Sequence, residues 1–350
     1  MCKRITQHSE KLRNAILQTF KNNSQLTFNQ VYESISKKFD LKQGCIRKHL
    51  NALVEQDAIR PIKEKGKTYY SIRSIEEASF VLKTSDYLDE MEIWVKKVDP
   101  ILPKLSKGAK EILEYCFSEI LNNAINHANA KEIRIVLFTN VLSTGIIIRD
   151  NGIGIFRKIK DDLNLKDEHQ SLLELSKGKF TSDPKNHSGE GIFFSSRACN
   201  SFIILSGNLM YTLSGEDNPG LLSDIGENNL EQGTIVYFSI NSNSSRSLNK
   251  VFTKYSPKEE DNSFCKTVVP VKLLRYKDEG IVSRSQAKRL LSRFEKFKYV
   301  VLDFEGIEYI GQAFADEIFR VFKNNNRDIE LTYTNANQNI KNMISHVTTG

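Results

Sequence analysis

The feature that most constrains the fold is a set of four short polar and glycine-rich stretches between residues 117 and 238. The first, 117–128, is predicted to be a helix on which Glu119 and Asn123, four residues apart, project from the same face. An acid beside a carboxamide suits the activation of water and the binding of Mg²⁺ through oxygen ligands. Taken alone, the pair is better explained as two polar residues on a solvated helix face.

The second stretch joins a predicted strand to a turn. An apolar run at 145–148 leads to Asp150, which is followed closely by Gly152 and Gly154. The glycines let the backbone come close to a flat ring, while the carboxylate accepts a hydrogen bond from an exocyclic amine. On its own, Asp-Asn-Gly is only a good turn, but together with the first stretch it indicates a ligand pocket.

The third and fourth stretches add a phosphate-binding turn and a further strand. Gly189 and Gly191 open a predicted helix, and glycines at a helix N-terminus present backbone N–H groups to phosphate oxygens. The long polar segment before them, 156–187, is typical of a functional lid or a disordered loop. In the fourth stretch, Thr234 begins a predicted strand and is placed to support the adenine end of a nucleotide.

Taken in order, the stretches resemble the N, G1, G2 and Gly-Thr boxes of the GHKL superfamily, which includes gyrase, the heat-shock chaperone, histidine kinases and MutL. The resemblance covers about 130 of the 350 residues, and it implies an ATP-binding α/β sandwich of the Bergerat type over 108–240. It also implies that Glu119 polarises the attacking water, that Asn123 holds Mg²⁺ and that Asp150 reads the adenine amine. The other residues implied to contact ATP are Gly152, Gly154, Gly189, Gly191 and Thr234.

The first stretch has a closer resemblance to one branch of the superfamily. The run EILNNAINHA at 119–128 is similar to the Glu-x-x-x-Asn-Ala-x-x-His-Ala of anti-sigma-factor serine kinases. The activity therefore stays open between a slow Mg²⁺-dependent ATPase and a protein kinase that acts in trans on a Ser or Thr of a separate protein. A scaffold that binds ATP without hydrolysing it is a further alternative.

Residues 1–75 carry the net positive charge of the chain. They contain 15 Lys and Arg against 6 Asp and Glu, whereas the whole chain has a net charge of +7. Such an asymmetry indicates a polyanion partner for this segment. The apolar spacing predicts a helix at 11–20, a second helix capped by Thr27, a third at 42–56, and then a hairpin at 59–72.

This order resembles a winged helix-turn-helix, with IRKHLNALVEQDAIRPI as its recognition helix and first wing strand. The resemblance implies that the third helix enters the major groove of double-stranded DNA and that the wing reaches phosphates, in a role in transcription regulation. A winged helix that docks a protein is the alternative, and the charge surplus favours DNA. The residues predicted to bind DNA are Arg47, Lys48, Lys63, Lys65 and Lys67.

The remaining segments are predicted as a helical connector over 76–107, a linker over 241–264 and a small α/β layer over 265–350. The stretch 299–317 resembles the STAS fold of anti-anti-sigma factors, and most closely a STAS-like domain of unknown function. Where phosphorylated members carry a Ser or Thr, this chain has Gln312 and Ala313. Because a phosphoacceptor needs a hydroxyl, the sequence favours protein docking over phosphorylation of this turn in cis.

The sequence therefore predicts a multidomain α+β protein with a winged helix, a GHKL sandwich and a STAS-like domain. Its five cysteines are scattered and never form C-x-x-C, which favours thiols in a reducing cytoplasm. No apolar run approaches the ~20 residues needed to span a bilayer, and the first residues hold no apolar signal core. We expect a cytoplasmic regulator that couples ATP to DNA or protein binding, with a protein partner at the STAS-like domain. A homodimer is left open.

Overall fold

The computed structural model describes residues 2–20, 23, 25–86, 88–180, 189–214, 221–224, 232–256, 264–275 and 280–349. In the N-terminal domain, helices pack on an antiparallel sheet with the strand order β1-β3-β2. The elements of this domain are α1 (Cys2–Thr19), β1 (Leu26–Thr27), α2 (Phe28–Phe39), α3 (Gln43–Glu55), β2 (Ile59–Glu64) and β3 (Lys67–Ile72).

Local sequence explains where α2 begins and where the wing turns. The Thr27 side chain accepts a hydrogen bond from the N–H of Gln30, and the Gln30 side chain accepts one from the Thr27 N–H, which is a capping box. At the tip of the wing, Lys65 and Gly66 have φ values of 46° and 75°. Positive φ at both central residues is what a tight hairpin between twisted strands requires. The predicted winged helix is confirmed.

The middle domain is an antiparallel sheet with helices packed on one face. Its strands follow the order β4-β5-β6-β10-β7-β8-β9 within the described residues. The strands are β4 (Ile75–Lys83), β5 (Glu132–Thr139), β6 (Ser143–Asp150), β7 (Ser201–Ser206), β8 (Leu209–Ser214), β9 (Leu221–Asp224) and β10 (Ile235–Asn241). The helices are α4 (Glu90–Ile93), α5 (Lys107–Asn126), α6 (Ile155–Asp162), α7 (Glu168–Lys177), α8 (Gly191–Ala198) and α9 (Leu248–Tyr255).

Alternation along the strands explains which face of the sheet the helices cover. In β5, Ile133, Ile135 and Leu137 are buried, while the residues between them are exposed or half-buried. A strand with this period turns one set of side chains to the core. Helix α5 lies against β6 and β10 and also packs on α8. These contacts hold α5, which carries the first stretch, against β6 and β10, which carry the second and the fourth.

The flanks of the middle domain differ from the sequence expectation. Residues 76–107, predicted as a helical connector, include β4, which pairs antiparallel with β5 before α4, a π-helical turn (Trp94–Val98) and a 3₁₀ turn (Asp99–Ile101). Residues 241–264, predicted as a linker, include α9, whose Val251 and Tyr255 are buried in the core. Most residues in both segments are on exposed faces, so their overall composition is polar. The few apolar residues that pack against the core are therefore not evident from composition.

The C-terminal domain is a parallel sheet with helices, as the alternating pattern predicts. Strand β12 lies between β11 and β13 and is parallel to both. The strands are β11 (Lys266–Pro270), β12 (Tyr299–Asp303) and β13 (Glu330–Thr334). The helices are α10 (Arg284–Leu291), α11 (Gln312–Asp316), α12 (Lys323–Asn325) and α13 (Gln338–Thr349), with a π-helical segment at Glu317–Phe322 between α11 and α12.

Helix α10 ends at Leu291, and Arg293, two residues later, takes the left-handed conformation with φ of 66°. Hydrogen bonds from its guanidinium to the middle domain hold it there. In the part of the chain that the structure describes, no helix has both the length and the apolar character that crossing a bilayer requires.

Candidate nucleotide-binding site

A cavity of about 350 Å³ opens in the middle domain between its helices and its central strands. This volume is within the range of small-molecule sites. The structure brings almost all of the residues predicted for the nucleotide site to its walls: Glu119, Asn123, Asp150, Gly154, Gly189, Gly191 and Thr234. Gly152 lies just behind the wall, where it packs against the end of α5.

Asp150 stands at the end of β6 with its carboxylate held in place. Its Oδ1 accepts hydrogen bonds from the N–H of Gly152 at 2.9 Å and from the N–H of Thr234 at 3.3 Å. Burial raises the pKa of the Asp150 carboxyl, and the two N–H donors act in the opposite direction because they favour the ionised form. The carboxyl group is thus a fixed acceptor on the cavity wall, as recognition of an exocyclic amine requires.

The turn after Asp150 needs its glycines because other backbone lies very close. A Cβ added at Gly152 would come within 2.0 Å of the carbonyl oxygen of Ala128. Gly154 has a φ of 88°, and a Cβ there would lie 2.7 Å from the Ser206 Oγ. These contacts leave no room for side chains, so the turn keeps its backbone close to the cavity.

Thr234 ties the same turn to β10. Its Oγ1 accepts a hydrogen bond from the N–H of Ile155 at 3.0 Å. The neighbouring Gly233 has a φ of 88°, and a Cβ on it would meet the carbonyl oxygen of Asp150 at 2.0 Å. The second and fourth stretches therefore form one hydrogen-bonded unit at the floor of the cavity.

Glu119 and Asn123 lie one turn apart on α5, and both line the cavity. Burial raises the pKa of the Glu119 carboxyl, and the negative charges of Glu190 and Glu90 raise it further. A carboxylate with a raised pKa is a stronger base than an exposed one, which suits proton abstraction near neutral pH. The N-terminus of α8 lies directly against this carboxylate, since a Cβ at Gly191 would come within 1.9 Å of its Oε2.

A segment that we call the lid base, residues 174–180, covers another side of the cavity. Two of its side chains, Leu175 and Phe180, line the cavity. Phe180 also contacts the turn before α8, because a Cβ at Gly189 would lie 2.3 Å from the Phe180 carbonyl oxygen. Most of the predicted lid, 156–187, is helical in α6 and α7, and its residues 181–187 lie outside the described residues.

The other side of the lid base bonds to the C-terminal domain through buried charges. The Glu174 carboxylate accepts from Lys177 at 2.6 Å through Oε1 and from Arg293 at 2.9 Å through Oε2. Arg293 also donates to the carbonyl oxygen of Gly178 at 2.9 Å, and the Thr267 hydroxyl donates to the carbonyl oxygen of Lys177 at 2.8 Å. We call this set of contacts the lid-base clamp.

Lys177 is fully enclosed in the lid-base clamp, with a side chain that is 0% exposed. Its Nζ donates to the carbonyl oxygens of Arg289 at 3.2 Å and Ser292 at 2.8 Å. Burial lowers the pKa of Lys177 to about 8, although the negative charge of Glu174 acts in the opposite direction and raises it. Removing one partner from such a buried network would leave another charge uncompensated, so the clamp holds the domains in a defined arrangement.

Sequence reasoning missed Lys158 and the whole of the lid-base clamp. Lys158 lines the cavity from α6 and pairs with Asp162 at 3.2 Å. Because these two residues are four apart, the pattern is the same as that of an ordinary surface pair. The sequence offered one signal for Lys158, which is its place on the first turn of the helix that follows Gly154.

The residues predicted to contact DNA are on the surface of the N-terminal domain. Arg47 and Lys48 are exposed on α3, and the predicted wing lysines at 63, 65 and 67 are exposed on the β2–β3 hairpin. The Arg47 guanidinium lies 3.8 Å from the centre of the Phe28 ring, which orients it on the helix face. In the C-terminal domain, Gln312 and Ala313 are exposed.

Comparison with known protein families assigns a separate family to each part of the chain. Residues 11–101 match the penicillinase repressor family, and residues 108–244 match the histidine kinase-, DNA gyrase B- and HSP90-like ATPase family. Residues 286–341 match a STAS-like domain of unknown function. A search of curated proteins found no match to the chain. The chain thus combines a repressor-like winged helix, a GHKL nucleotide-binding domain and a STAS-like domain.

Proposed function

We propose that this protein is an ATP-dependent regulator in which the nucleotide bound by the GHKL domain controls the flanking domains through the lid base. The observation that carries the proposal is the position of residues 174–180. On one side this segment lines the nucleotide cavity, and on the other it is bonded to the STAS-like domain. A ligand that moves the lid base therefore acts directly on the contacts between the two domains.

Within the cavity, the proposed roles follow the chemistry of each side chain. Asp150 accepts a hydrogen bond from the adenine amine, and the N-terminus of α8 at Gly191 offers N–H groups to phosphate oxygens. Asn123 supplies one oxygen to Mg²⁺, which usually keeps its waters and takes few protein ligands beside the phosphates. In the described residues, no three His, Cys, Asp or Glu side chains gather into a metal cage, so the fit is to a metal that arrives with the nucleotide.

Glu119 is the proposed general base for slow ATP hydrolysis. Its carboxylate lies directly against the start of α8, where the phosphates are proposed to bind, and it lines the same cavity as Asn123. The raised pKa of Glu119 supports this role, because a stronger base accepts the proton of an attacking water more readily. Mg²⁺ would supply charge neutralisation at the transferred phosphoryl group.

The experiment that tests the coupling compares hydrogen exchange of the full chain with and without a non-hydrolysable ATP analogue. We expect the analogue to change exchange both at the lid base and across β11 in the STAS-like domain. Thr267→Val removes one hydrogen bond from the lid-base clamp without adding a charge, and it should weaken the change at β11. A matched control is Arg320→Met, which breaks a surface ion pair with Asp316 in the same domain.

The outcomes separate the alternatives. If the analogue protects the lid base and leaves β11 unchanged, the regulatory coupling is wrong although ATP is bound. If the wild-type protein releases phosphate from ATP faster than Glu119→Ala does, the result supports the ATPase. Transfer of a labelled γ-phosphate to a separate protein supports the kinase in trans. If ATP binds tightly and neither product forms, the protein is a scaffold that binds ATP without hydrolysing it.

A further inference from the structure

Strand β4 (Ile75–Lys83) forms one edge of the sheet of the middle domain, and its outer side pairs with no strand in the described residues. An edge strand presents a row of unpaired N–H and C=O groups, which can pair with a strand of another chain. Proteins commonly keep such edges short, and β9, at the opposite edge, has four described residues. Because β4 has nine residues and contains no proline, it is a long edge that is open to pairing.

Exposed apolar side chains are concentrated beside this edge. Of the ten large apolar side chains that are exposed in the described part of the chain, five lie within residues 75–101. These five are Ile75, Val81, Met91, Val95 and Ile101. The Lys97 Nζ lies 5.1 Å from the centre of the Phe80 ring, which places the helical segment 90–98 beside β4. Apolar side chains that gather on a surface in this way mark a protein–protein contact.

The charges of β4 indicate which partner fits it. One end of the strand has Glu76 and Glu77, the other end has Lys83, and all three side chains are exposed. In an antiparallel pairing of two copies about a two-fold axis at Phe80, the acids of each copy lie opposite Lys83 of the other. Parallel pairing in register would place acids beside acids instead. Opposite charges stabilise a pair of strands and like charges destabilise it, so β4 is complementary to a second, antiparallel β4.

We propose that two copies of this protein form a dimer in which their β4 strands pair antiparallel about a two-fold axis at Phe80. Such an interface is isologous, because the same surface of each copy contacts the other. The pairing joins the two sheets into one. It also brings the segments 90–98 of both copies together, so that Met91 and Val95 become covered. The dimer does not depend on the proposed ATP site.

The dimer has a consequence for the winged helices. Only Arg73 and Ser74 separate the end of β3 from the start of β4, so each winged helix is attached close to the proposed interface. Two winged helices related by a two-fold axis fit two half-sites of a palindromic duplex. This consequence, unlike the dimer itself, rests on DNA binding by the winged helix.

The test is sedimentation equilibrium of the full chain without nucleotide, over a wide range of micromolar concentrations. We expect the mass of two chains. Lys83→Glu should give monomers, because it places acids opposite acids, and adding Glu76→Lys to this variant should restore the dimer. Glu76 is exchanged rather than Glu77 because the Glu77 carboxylate accepts a hydrogen bond from the Thr139 hydroxyl at 2.5 Å.

A second variant tests the apolar part of the interface. Val95→Glu should weaken the dimer, because it places a charge on the face that the second copy covers. The matched control is Val282→Glu, which makes the same change at an exposed valine of the C-terminal domain and should leave the dimer intact. Circular dichroism checks that each variant is folded.

Each result bears on the inference. A wild-type chain that remains monomeric at every concentration would overturn it. So would dimers that persist in both Lys83→Glu and Val95→Glu, because the contact would then lie elsewhere on the protein. If Glu76→Lys does not restore the dimer to Lys83→Glu, the pairing about Phe80 is wrong. Because the samples contain no nucleotide, these results are independent of whether the chain binds ATP.

Discussion

Glu119 and Gly191 lie so close that a methyl group on Gly191 would overlap the Glu119 carboxylate where it stands. A Cβ at Gly191 would lie 1.9 Å from the Oε2 of Glu119 and 2.8 Å from its Cδ. The contact joins the first and third predicted stretches, which are 72 residues apart along the chain. It places the proposed base at the N-terminus of the helix proposed to bind phosphate, so hydrolysis should depend on the absence of a side chain there.

The first prediction is that Gly191→Ala folds and loses most ATP hydrolysis. The atom that the methyl group meets is the end of a flexible side chain, so the carboxylate moves and the backbone stays. Misplacement of a catalytic group by about 1 Å can cost about 10²-fold in rate. The measurement is phosphate release under saturating ATP. The control is Gly44→Ala, since a Cβ at Gly44 has no described atom within 4 Å. Wild-type turnover in Gly191→Ala would refute the proposed geometry.

The second prediction concerns base recognition by Asp150. In Asp150→Asn, the amide oxygen can still accept from the N–H groups of Gly152 and Thr234, while the amide nitrogen opposes the amino group of adenine. We expect ATP affinity to fall by about 1–3 kcal/mol with little change in melting temperature. Titration calorimetry gives the affinity, and Asp161→Asn, at an exposed acid on α6, is the control. Equal affinity in both variants would exclude Asp150 as the adenine ligand.

The third prediction is that Glu119→Gln stabilises the protein at neutral pH while it removes the base. Burial and the charge of Glu190 raise the pKa of Glu119 in the folded state above its ordinary value of 4.5. Ionising this carboxyl therefore destabilises the folded protein. The destabilisation is fully present above the raised pKa and absent below pH 4.5, where folded and unfolded chains are both protonated.

Thermal unfolding of wild type and Glu119→Gln across this pH range checks the prediction. The variant should melt at a higher temperature at pH 7, and the difference should shrink as the pH falls through the folded-state pKa. Glu114→Gln, on the same helix, is a control for the loss of one negative charge. If the difference in melting temperature does not depend on pH, the surroundings of Glu119 do not raise its pKa, and the prediction is wrong.

The fourth prediction concerns DNA and the wing lysines. Binding of lysines to phosphates releases counterions, so affinity for duplex DNA should fall steeply as salt rises. Replacing Lys63, Lys65 and Lys67 by Gln should flatten the dependence of log affinity on log salt by about one unit for each phosphate that is no longer neutralised. Fluorescence anisotropy at several salt concentrations measures the slope. Substitution of three exposed lysines in the STAS-like domain provides the control: Lys298, Lys323 and Lys341.

Arg47 should behave differently from the wing lysines. Its guanidinium is oriented over Phe28 on the predicted recognition helix, so Arg47→Ala should alter sequence preference as well as affinity. Failure of the wild-type chain to bind any duplex at low salt would assign the winged helix to protein docking. If the affinity for DNA does not change with ATP, the DNA site stands but its proposed coupling to the nucleotide is wrong.

Local features of the sequence accounted for much of the fold. The capping box of Thr27 and the wing turn at Gly66 depend on neighbours within three residues, so their signals are complete in a short window. The order of the four stretches in the middle domain was equally accessible, because glycines and acids at a pocket leave a pattern that packing does not obscure. By contrast, β4 falls within the predicted helical connector, since an exposed edge strand has little alternation and its partner is β5, far along the chain.

By itself, the sequence determined the kinds of domain and predicted seven of the residues that line the cavity of the middle domain, because each of these depends on short-range spacing. Tertiary structure alone decided how the domains meet. Glu174 and Arg293 are 119 residues apart, and neither shows in sequence that it will be buried against the other. The end of α10 at Leu291 was decided in the same way. Such contacts form only when separate elements pack, since burial and charge pairing are properties of the folded chain.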